Sequence, residues 1–430
     1  ERLKALCNSD DDGGKYFWEL TSKILIYSAK RVPEISDDII NIDNALKWGF
    51  GWDAGPFEMW DMIGVSESTH RMQLEGKEIP EWVLEMIDSG RQFFYQTNNG
   101  IKTHWSPKES SSFESDQSPQ IFNLELHKTR DLTLRKNLNA SVNDMGDGIL
   151  NVEFHSSLQP RHNPIDGSFV EMINYALDLV EEDKFRAMII AHEGVNFSAG
   201  ANLNLFLELC QNQQWEKLDF AVKTFQNMTQ RIRFSKGPVV AAPFQLTLGG
   251  GTEIVQATAH RVASAETYMG FVEMGVGLIP GGGGNLRMIL NAVEDDKGTT
   301  GSFQKIQKAF ETIGFAKVST SAHEAKDLGL LKEDDSIILN RDHLIQAAKG
   351  KALELLGSYS LPAYNRGLKL PGAGARTAMA IALKGFRLQG KISDHDVKIG
   401  EKLAYVLTGG DQAGLTKKVD EQYILDIERE

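Results

Sequence analysis

The sequence has 430 residues, of which 41% are hydrophobic and 24% are charged, a composition typical of globular proteins. This length predicts two or three domains. The formal net charge of −13 argues against a surface for nucleic acid or anionic membrane. A negatively charged ligand would therefore have to be bound by local groups such as helix N-termini.

The cysteine and hydropathy patterns indicate the compartment. Cys7 and Cys210 are far apart and lack Cys or His neighbours, so the sequence predicts neither a disulfide framework nor a metal site. No apolar run approaches the roughly 20 residues that span a bilayer, and the start ERLKAL lacks the apolar core of a signal peptide. We expect a cytoplasmic protein without a membrane span. Because the sequence does not begin with Met, we also expect a fragment of a longer chain.

The first hundred residues are predicted to be mostly helical. A helix over residues 15–30 is expected to bury one apolar face, formed by Phe17, Leu20, Ile24 and Tyr27. Ser36-Asp37-Asp38 is typical of an N-cap that opens the next helix. The stretch Ala45–Gly64 combines three Trp residues with a Gly-Pro break, which predicts a turn clamped by aromatic side chains. The alternative is that these aromatics are ordinary core residues.

The turn Gly55-Pro56-Phe57-Glu58 resembles the signature of the helical C-terminal domain of 3-hydroxyacyl-CoA dehydrogenases. The resemblance implies an all-α domain over residues 1–105. No strand-Gly-x-Gly-x-x-Gly-helix unit is present, since the nearest string, Pro371–Arg376, lacks the third Gly. We therefore expect that this chain itself needs no cofactor and that NAD belongs to a missing NAD-binding domain. No dehydrogenase catalytic residue is assigned.

A Ser-rich, charged stretch at Ser106–Gln120 predicts a linker, which we extend over residues 106–140. After it, a strand at Ile149–Phe154, an amphipathic helix and a buried strand at Ala187–Ile190 form a strand-helix-strand unit. The cycle repeats with a strand at Pro238–Pro243 after a second helix, whose predicted stripe is Leu218, Val222, Phe225, Thr229 and Ile232. This alternation predicts an α/β domain.

The stretch Thr247–Arg287 is the predicted active site. Gly249, Gly250 and Gly251 lie where a strand ends and a helix should begin, a geometry that suits an oxyanion. Glu253 and Glu273 would face each other if the segment between them folds back. Mutual repulsion would then favour one protonated and one ionised carboxyl, an acid and a base in one site. The alternative is that both are solvated surface residues.

Ordered motifs then identify a family. Phe-Ser-Ala-Gly-Ala within Asn196–Phe206, Gly-Gly-Gly-x-Glu, and Glu-x-x-x-Gly-x-Ile-Pro-Gly-x-Gly-Gly resemble the crotonase (enoyl-CoA hydratase/isomerase) superfamily. The resemblance implies a crotonase (ClpP/crotonase-like) domain over residues 141–345. It implies that the N–H groups of Ala201 and Gly250 form a thioester oxyanion hole and that Glu253 and Glu273 are catalytic. The implied substrate-binding residues are Ala199, Gly200, Asn202, Gly249 and Gly251.

This sequence departs from the family at two positions, with Asn202 where an Asp is usual and Asn204 where a Lys is frequent. The second glycine run, Gly281–Gly284, lacks the Lys-Ser/Thr of a phosphate loop and is predicted to shape the wall behind Glu273. His260, expected at a helix end or turn, is given a structural role because no Gly-x-Ser-x-Gly elbow exists.

Retention of both carboxylates favours hydratase over Δ3-Δ2 isomerase, which relies on the later carboxylate. Residues 346–430 are predicted to be a helical region, and Ile399–Asp411 resembles the end of bifunctional β-oxidation proteins. The resemblance implies an enoyl-CoA hydratase acting on coenzyme A thioesters, within a longer protein that is also a 3-hydroxyacyl-CoA dehydrogenase. A non-catalytic acyl-CoA-binding fragment is the second alternative, and a homo-oligomer stays open.

Overall fold

The computed structural model describes residues 2–98, 101–115, 118–294, 302–414 and 416–430. The chain divides into two units, Glu1–Ser118 and Pro119–Glu430, and each has its own apolar core. Within the described ranges, no helix is both long enough and apolar enough to cross a membrane.

The first unit consists of helices followed by a small sheet. Its helices are α1 (Arg2–Cys7), α2 (Asp12–Lys30), α3 (Ile39–Phe50), α4 (Pro56–Ile63), α5 (Val65–Leu74) and α6 (Glu81–Asp88). Asp11 caps α2 by accepting a hydrogen bond from the Gly14 N–H, and Asp38 caps α3 in the same way through the Ile40 N–H. The predicted N-cap at residues 36–38 is thus confirmed.

The buried face of α2 is not the predicted one. Leu20 and Tyr27 are 47% and 61% exposed, whereas Trp18, Leu25 and Ala29 are buried. Both stripes have helical spacing, so the apolar periodicity alone did not distinguish them. Trp18 is selected by tertiary contacts, because its indole N–H donates to both carboxylate oxygens of Glu75, at 2.8 and 2.9 Å.

The Gly-Pro-Phe-Glu turn begins α4. Pro56 occupies the first helical position, where a missing N–H does no harm, and the Gly55 N–H donates to Glu58 at 3.0 Å. The buried Asp43 accepts hydrogen bonds from the N–H groups of Phe57 and Glu58. A Cβ at Gly55 would lie 2.3 Å from the Asp43 Cβ, so this turn requires glycine.

The first unit also contains a sheet that the all-α prediction omitted. Its antiparallel strands are β1 (Tyr95–Asn98), β2 (Ile101–Ser106) and β3 (Ser111–Glu114). β3 lies inside the predicted linker, and α7 (Leu124–Lys128) and β4 (Thr133–Lys136) follow within it. The boundary between the two units falls inside the predicted linker over 106–140, after Ser118, but the linker is not free of secondary structure. Ser111 and Ser112 lie on β3, where the backbone pairs with β2 although most of the strand is exposed.

The second unit is built on a seven-stranded sheet in the order β12-β10-β8-β7-β6-β5-β4. β4, β5 and β6 are antiparallel, and the neighbours from β6 to β12 are parallel. β9 and β11 form a separate parallel pair. The strands after β4 are β5 (Ala140–Asp144), β6 (Ile149–Phe154), β7 (Ala187–Ile190), β8 (Val239–Ala241), β9 (Gln245–Leu248), β10 (His260–Ser264), β11 (Thr267–Gly270) and β12 (Ser336–Ile338). The predicted α/β architecture is confirmed.

The helices of the second unit share one core with this sheet, and the C-terminal helices contribute Leu383, Leu403 and Leu425 to it. Residues 346–430 are therefore part of the same unit rather than a separate region. After α7 the helices are α8 (Gly167–Glu181), α9 (Leu203–Gln211), α10 (Trp215–Arg233), α11 (Gly250–Ala257), α12 (Gly284–Glu294), α13 (Ser302–Gly314), α14 (Ala322–Asp327), α15 (Leu344–Leu355), α16 (Gly372–Leu388), α17 (Asp394–Leu407) and α18 (Glu421–Arg429).

Candidate active site

Three segments of the second unit run side by side and end together. β9 pairs in parallel with β11, so Leu248 lies opposite Gly270, and Ser198 pairs in parallel with Thr247. The carboxyl ends of neighbouring parallel strands meet at one edge of a sheet, which is where ligands bind in such folds. The residues that follow Ser198, Leu248 and Gly270 therefore converge, and they include most of the predicted site residues.

Glycine allows the first two of these segments to touch through their backbones. Gly200 and Gly249 have φ angles of +97° and +52°, which side-chain-bearing residues rarely adopt. A Cβ at Gly200 would lie 3.1 Å from the carbonyl oxygen of Leu248 and 3.3 Å from the nitrogen of Gly250. Ala201 and Gly250 are thus brought to adjacent positions without any side chain between their segments.

The N–H groups of Ala201 and Gly250 have no hydrogen-bond acceptor among the residues that the structure describes. Their neighbours do have acceptors, since the Gly200 N–H donates to the Ser198 hydroxyl at 3.1 Å and the Gly249 N–H to the Gly270 carbonyl at 2.9 Å. Gly250 is the first residue of α11, so its N–H points out of the helix N-terminus. Two uncommitted donors on adjacent segments can bind an oxyanion.

Glu253 lies in the first turn of α11 and is only 4% exposed. Its Oε1 accepts hydrogen bonds from the N–H groups of Gly282 at 2.7 Å and Gly284 at 2.9 Å. The second glycine run therefore holds Glu253, whereas the sequence predicted that it would shape the wall behind Glu273. Burial raises the pKa of Glu253 to about 7, against the lowering effect of these donors and of Arg287.

Glu273 begins a short 3-10 helix, Glu273–Val276, directly after β11. Its carboxyl lies against the first glycine cluster, because a Cβ at Gly249 would be 3.1 Å from the Glu273 Oε1. Its Oε2 is buried and has no hydrogen-bond partner in the described part of the chain. Burial, followed by repulsion from Glu253, raises the pKa of Glu273 to about 8.

The different surroundings of the two carboxyls decide which one carries the negative charge. Glu253 receives two backbone donors near the N-terminus of α12, and both favour its carboxylate form. Glu273 has an unpartnered oxygen and faces the charge of Glu253, so it favours the neutral form. Near neutral pH these surroundings favour ionisation of Glu253 over ionisation of Glu273.

The remaining predicted substrate-binding residues lie on the same two segments as Gly200 and Gly249. The Ala199 N–H donates to the His162 carbonyl at 2.7 Å, and the Asn202 side chain caps α9 by accepting from the Asn204 N–H. Gly251 packs against Ser198, since a Cβ there would lie 3.0 Å from the Ser198 Cβ. The side chain of Asn202 is therefore engaged in capping α9.

His260 lies on β10 rather than at the predicted helix end or turn. Its Nε2 is 3.1 Å from the Ser336 hydroxyl on β12, which is consistent with the predicted structural role. The ring is almost fully buried between two strands of the sheet.

Phe225 was assigned only to a helix stripe by sequence reasoning, yet it lines the site. A Cβ at Gly282 would lie 2.2 Å from its Cε1, and one at Gly250 would lie 3.3 Å from its Cζ. The ring therefore separates the two glycine segments beside Glu253. Its place in the periodicity of α10 predicted burial, but nothing local indicated which loop it would contact.

Glu428 was missed altogether. It lies on α18 and is 4% exposed, and its Oε1 accepts from both the N–H and the Nδ2 of Asn285 at 3.1 Å. Asn285 follows Gly284, one of the two residues that hold Glu253. Because 143 residues separate Glu428 from Asn285, no local motif could indicate this contact.

A cleft of about 400 Å³ between α10 and α18 is lined by Gln226 and Leu425 rather than by the predicted site residues.

Within the described ranges, no group of three or more His, Cys, Asp or Glu side chains could hold a metal ion. The glycine string Gly372–Gly374 opens α16, but a Cβ at Gly372 would lie 2.9 Å from the Ala413 carbonyl oxygen. This glycine packs against the chain itself, and no strand lies between α15 and α16 in the described part of the chain, so the string lacks the strand-turn-helix setting in which NAD-binding glycines hold the pyrophosphate.

Fold and site together define an α/β protein with two uncommitted backbone donors and a carboxyl pair at its strand ends. Residues 159–311 match the family described as enoyl-CoA hydratase/isomerase. A probable enoyl-CoA hydratase from Bacillus subtilis (strain 168) is 30% identical over 223 residues, which are 49% of this chain and 80% of that protein. The chain therefore belongs to the enoyl-CoA hydratase/isomerase (crotonase) family.

Other relatives extend beyond this domain. A probable 3-hydroxyacyl-CoA dehydrogenase from Bacillus subtilis (strain 168) is 41% identical over 429 residues, which are 100% of this chain and 53% of that protein. The chain thus spans about half the length of this relative. A solved enoyl-CoA hydratase from Bacillus anthracis is 23% identical, with a TM-score of 0.41, and the alignment covers 63% of this chain and 90% of that structure.

Proposed function

We propose that this chain is an enoyl-CoA hydratase, which adds water across the 2,3 double bond of a 2-enoyl-CoA in fatty-acid β-oxidation. The observation that carries the proposal is the pair Glu253 and Glu273, placed beside two uncommitted backbone donors but in different surroundings. One carboxyl is favoured as an anion and the other as an acid. Hydration needs one group of each kind.

The thioester carbonyl binds to the N–H groups of Ala201 and Gly250. Addition of water to the conjugated double bond places negative charge on this oxygen. Two aimed donors stabilise that charge, and loss of one such donor costs on the order of 3 kcal/mol in the barrier.

Proton transfer is divided between the two carboxyls. Ionised Glu253 takes a proton from the water whose oxygen bonds to C3, and neutral Glu273 delivers its proton to C2. The product gains one oxygen and two hydrogens, and the enzyme ends with the proton on Glu253 instead of Glu273. Dehydration follows the same path in reverse, so the two groups exchange roles.

The presence of both carboxyls supports hydration over isomerisation. Moving the double bond from the 3,4 to the 2,3 position requires one group that takes a proton from C2 and returns it to C4, and Glu273 alone could do so. The two N–H donors committed to Glu253 would then serve no chemical purpose. They are explained if Glu253 must be anionic to activate water.

The loss of crotonyl-CoA absorbance on adding the protein without NAD tests this function. Hydration is expected from the parent chain, and Glu253→Gln is expected to abolish most of it. Glu401→Gln, an exposed change on α17, is the matched control. Conversion of a 3-enoyl-CoA without net hydration would support the isomerase instead. Binding of a CoA thioester without either reaction would support a non-catalytic fragment.

For the longer protein, we propose a second activity, NAD-dependent 3-hydroxyacyl-CoA dehydrogenation, supported by the name of the relative that matches the full chain. Because the Gly372–Gly374 string lacks the strand-turn-helix setting of NAD-binding glycines, this chain by itself should not bind the cofactor. Calorimetric titration with NADH tests this expectation, and micromolar binding would refute it.

A further inference from the structure

A third carboxyl lies behind Glu253 and has no role in the reaction as described. Glu428 is buried on the C-terminal helix α18. Its Oε1 is bound to the Asn285 N–H and to the Asn285 Nδ2, both at 3.1 Å. The next residue back, Gly284, donates its N–H to Glu253 at 2.9 Å.

One short turn therefore links the two carboxyls. The Asn285 Nδ2 donates to the Pro280 carbonyl at 2.8 Å as well as to Glu428, which closes the turn from Pro280 to Asn285. Within this turn, the N–H groups of Gly282 and Gly284 hold the Oε1 of Glu253. Any shift of the turn would move the donors that orient the proposed base.

The surroundings of Glu428 are costly for the fold. Several buried polar atoms around it lack a hydrogen-bond partner among the described residues: Glu428 Oε2, Asn285 Oδ1, Arg287 Nε, Arg287 Nη1 and Gln230 Nε2. Each such group costs about 1–3 kcal/mol when water does not satisfy it. Apolar side chains of similar volume are often more stable than buried charged clusters, so stability alone does not account for this one.

We propose that Glu428 is a positioning residue of the active site, which holds the Pro280–Asn285 turn through Asn285 and thereby orients the carboxylate of Glu253. This inference rests on the proposed hydratase function. Glu428 acts through the backbone of the turn and does not touch the substrate. The C-terminal helix α18 then contributes to catalysis by positioning this turn, in addition to packing against the core.

The electrostatics agree with this geometry. Burial and the charge of Glu253 raise the pKa of Glu428 well above its ordinary value. The charge of Glu428 acts on Arg287 of α12, and Arg233 of α10, which also acts on Arg287, is paired with Glu421 at 2.6 Å. A neutral Glu428 still accepts both bonds from Asn285, so Gln at this position should preserve the contact while Leu should remove it.

The experiment compares E428Q, E428L and the double variant E253Q/E428L in crotonyl-CoA hydration. For E428L, kcat should fall about tenfold or more while KM changes less than about threefold, because misplacing a catalytic group lowers kcat rather than binding. E428Q should stay near the parent value. E253Q/E428L should be no slower than E253Q, because a device that orients Glu253 has nothing to orient in its absence. Gln422→Leu, exposed on the same helix, is the control.

A purely structural role for Glu428 makes different predictions. The loss caused by E428L would then multiply with that of E253Q, and the inference would be overturned. E428D, which keeps a carboxyl but draws it away from Asn285, replaces E428L if the latter does not fold, and its kcat should also fall. An inactive parent chain refutes the hydratase function and this inference with it. An active parent chain in which E428L or E428D keeps normal kcat refutes the inference alone.

Discussion

Replacing Glu253 by Gln should separate catalysis from stability. The Gln carbonyl oxygen can accept the same two hydrogen bonds, from Gly282 and Gly284, so the turn should keep its geometry. Gln cannot take a proton from water, and loss of a general base lowers the rate by about a hundredfold or more. Hydration should therefore fall by at least that factor.

The same change should stabilise the folded protein at alkaline pH. The pKa of Glu253 rises from 4.5 to about 7 on folding. A difference of about 2.5 units corresponds to about 3 kcal/mol. Because the folded pKa is the higher one, the stability contribution of Glu253 is full below pH 4.5 and is lost as the pH rises to about 7. Gln does not titrate, so E253Q should exceed the parent in stability by about 3 kcal/mol at pH 8.

Urea unfolding at pH 5 and pH 8 measures this effect beside crotonyl-CoA hydration. The gain of E253Q over the parent should be small at pH 5 and should approach its full value at pH 8. E401Q, exposed on α17, should leave both activity and stability unchanged. If E253Q keeps the activity of the parent, Glu253 is not the base. If the stability of E253Q differs from that of the parent by the same amount at both pH values, the pKa of Glu253 is not raised by folding.

Three other perturbations test the site. E273Q should abolish hydration and any isomerase side activity, whereas E253Q should retain part of the isomerase activity. Hydration and isomerisation are measured for both variants, and equal, small losses in all four measurements would mean that the pair is misassigned. Ala201→Pro removes one proposed oxyanion donor, so kcat should fall about 10²–10³-fold with little change in KM. Normal turnover by a variant with a normal circular dichroism spectrum would contradict the assignment of the Ala201 N–H as a donor. Gly282→Ala places a Cβ 2.2 Å from Phe225 and 2.6 Å from the Glu253 Oε2. The free energy of unfolding should therefore fall by about 1–3 kcal/mol, and the rate of hydration should fall as well. A variant with the stability and activity of the parent would show that the turn is not tightly packed.

Several features of this protein could be predicted from the sequence because they depend on neighbours along the chain. The period-2 and period-3.6 patterns identified β6, α8 and β7, and the acidic residues before Ile39 marked the start of α3. The glycines before Glu253 indicated a strand that ends in a helix N-terminus. These signals are local, since a hydrogen-bonded turn or a cap involves residues only a few positions apart.

Where several local solutions were available, only packing chose among them. α2 has two apolar stripes, and the bond from Trp18 to Glu75 selected the one that is buried. Ser111 and Ser112 could have belonged to an irregular loop, but backbone pairing with β2 placed them in a strand that is largely exposed. Neither choice has a signature within the segment itself.

The sequence by itself determined the strand-helix alternation of the second unit, the glycines that precede α11 and the candidate carboxyls Glu253 and Glu273, because each belongs to a short motif with its own hydrogen-bonding rules. Tertiary structure alone decided that the second glycine run holds Glu253 and that Phe225 and Glu428 adjoin the site. The physical reason is distance along the chain. A hydrogen bond between residues 143 positions apart forms only after the intervening helices and strands have packed into one core.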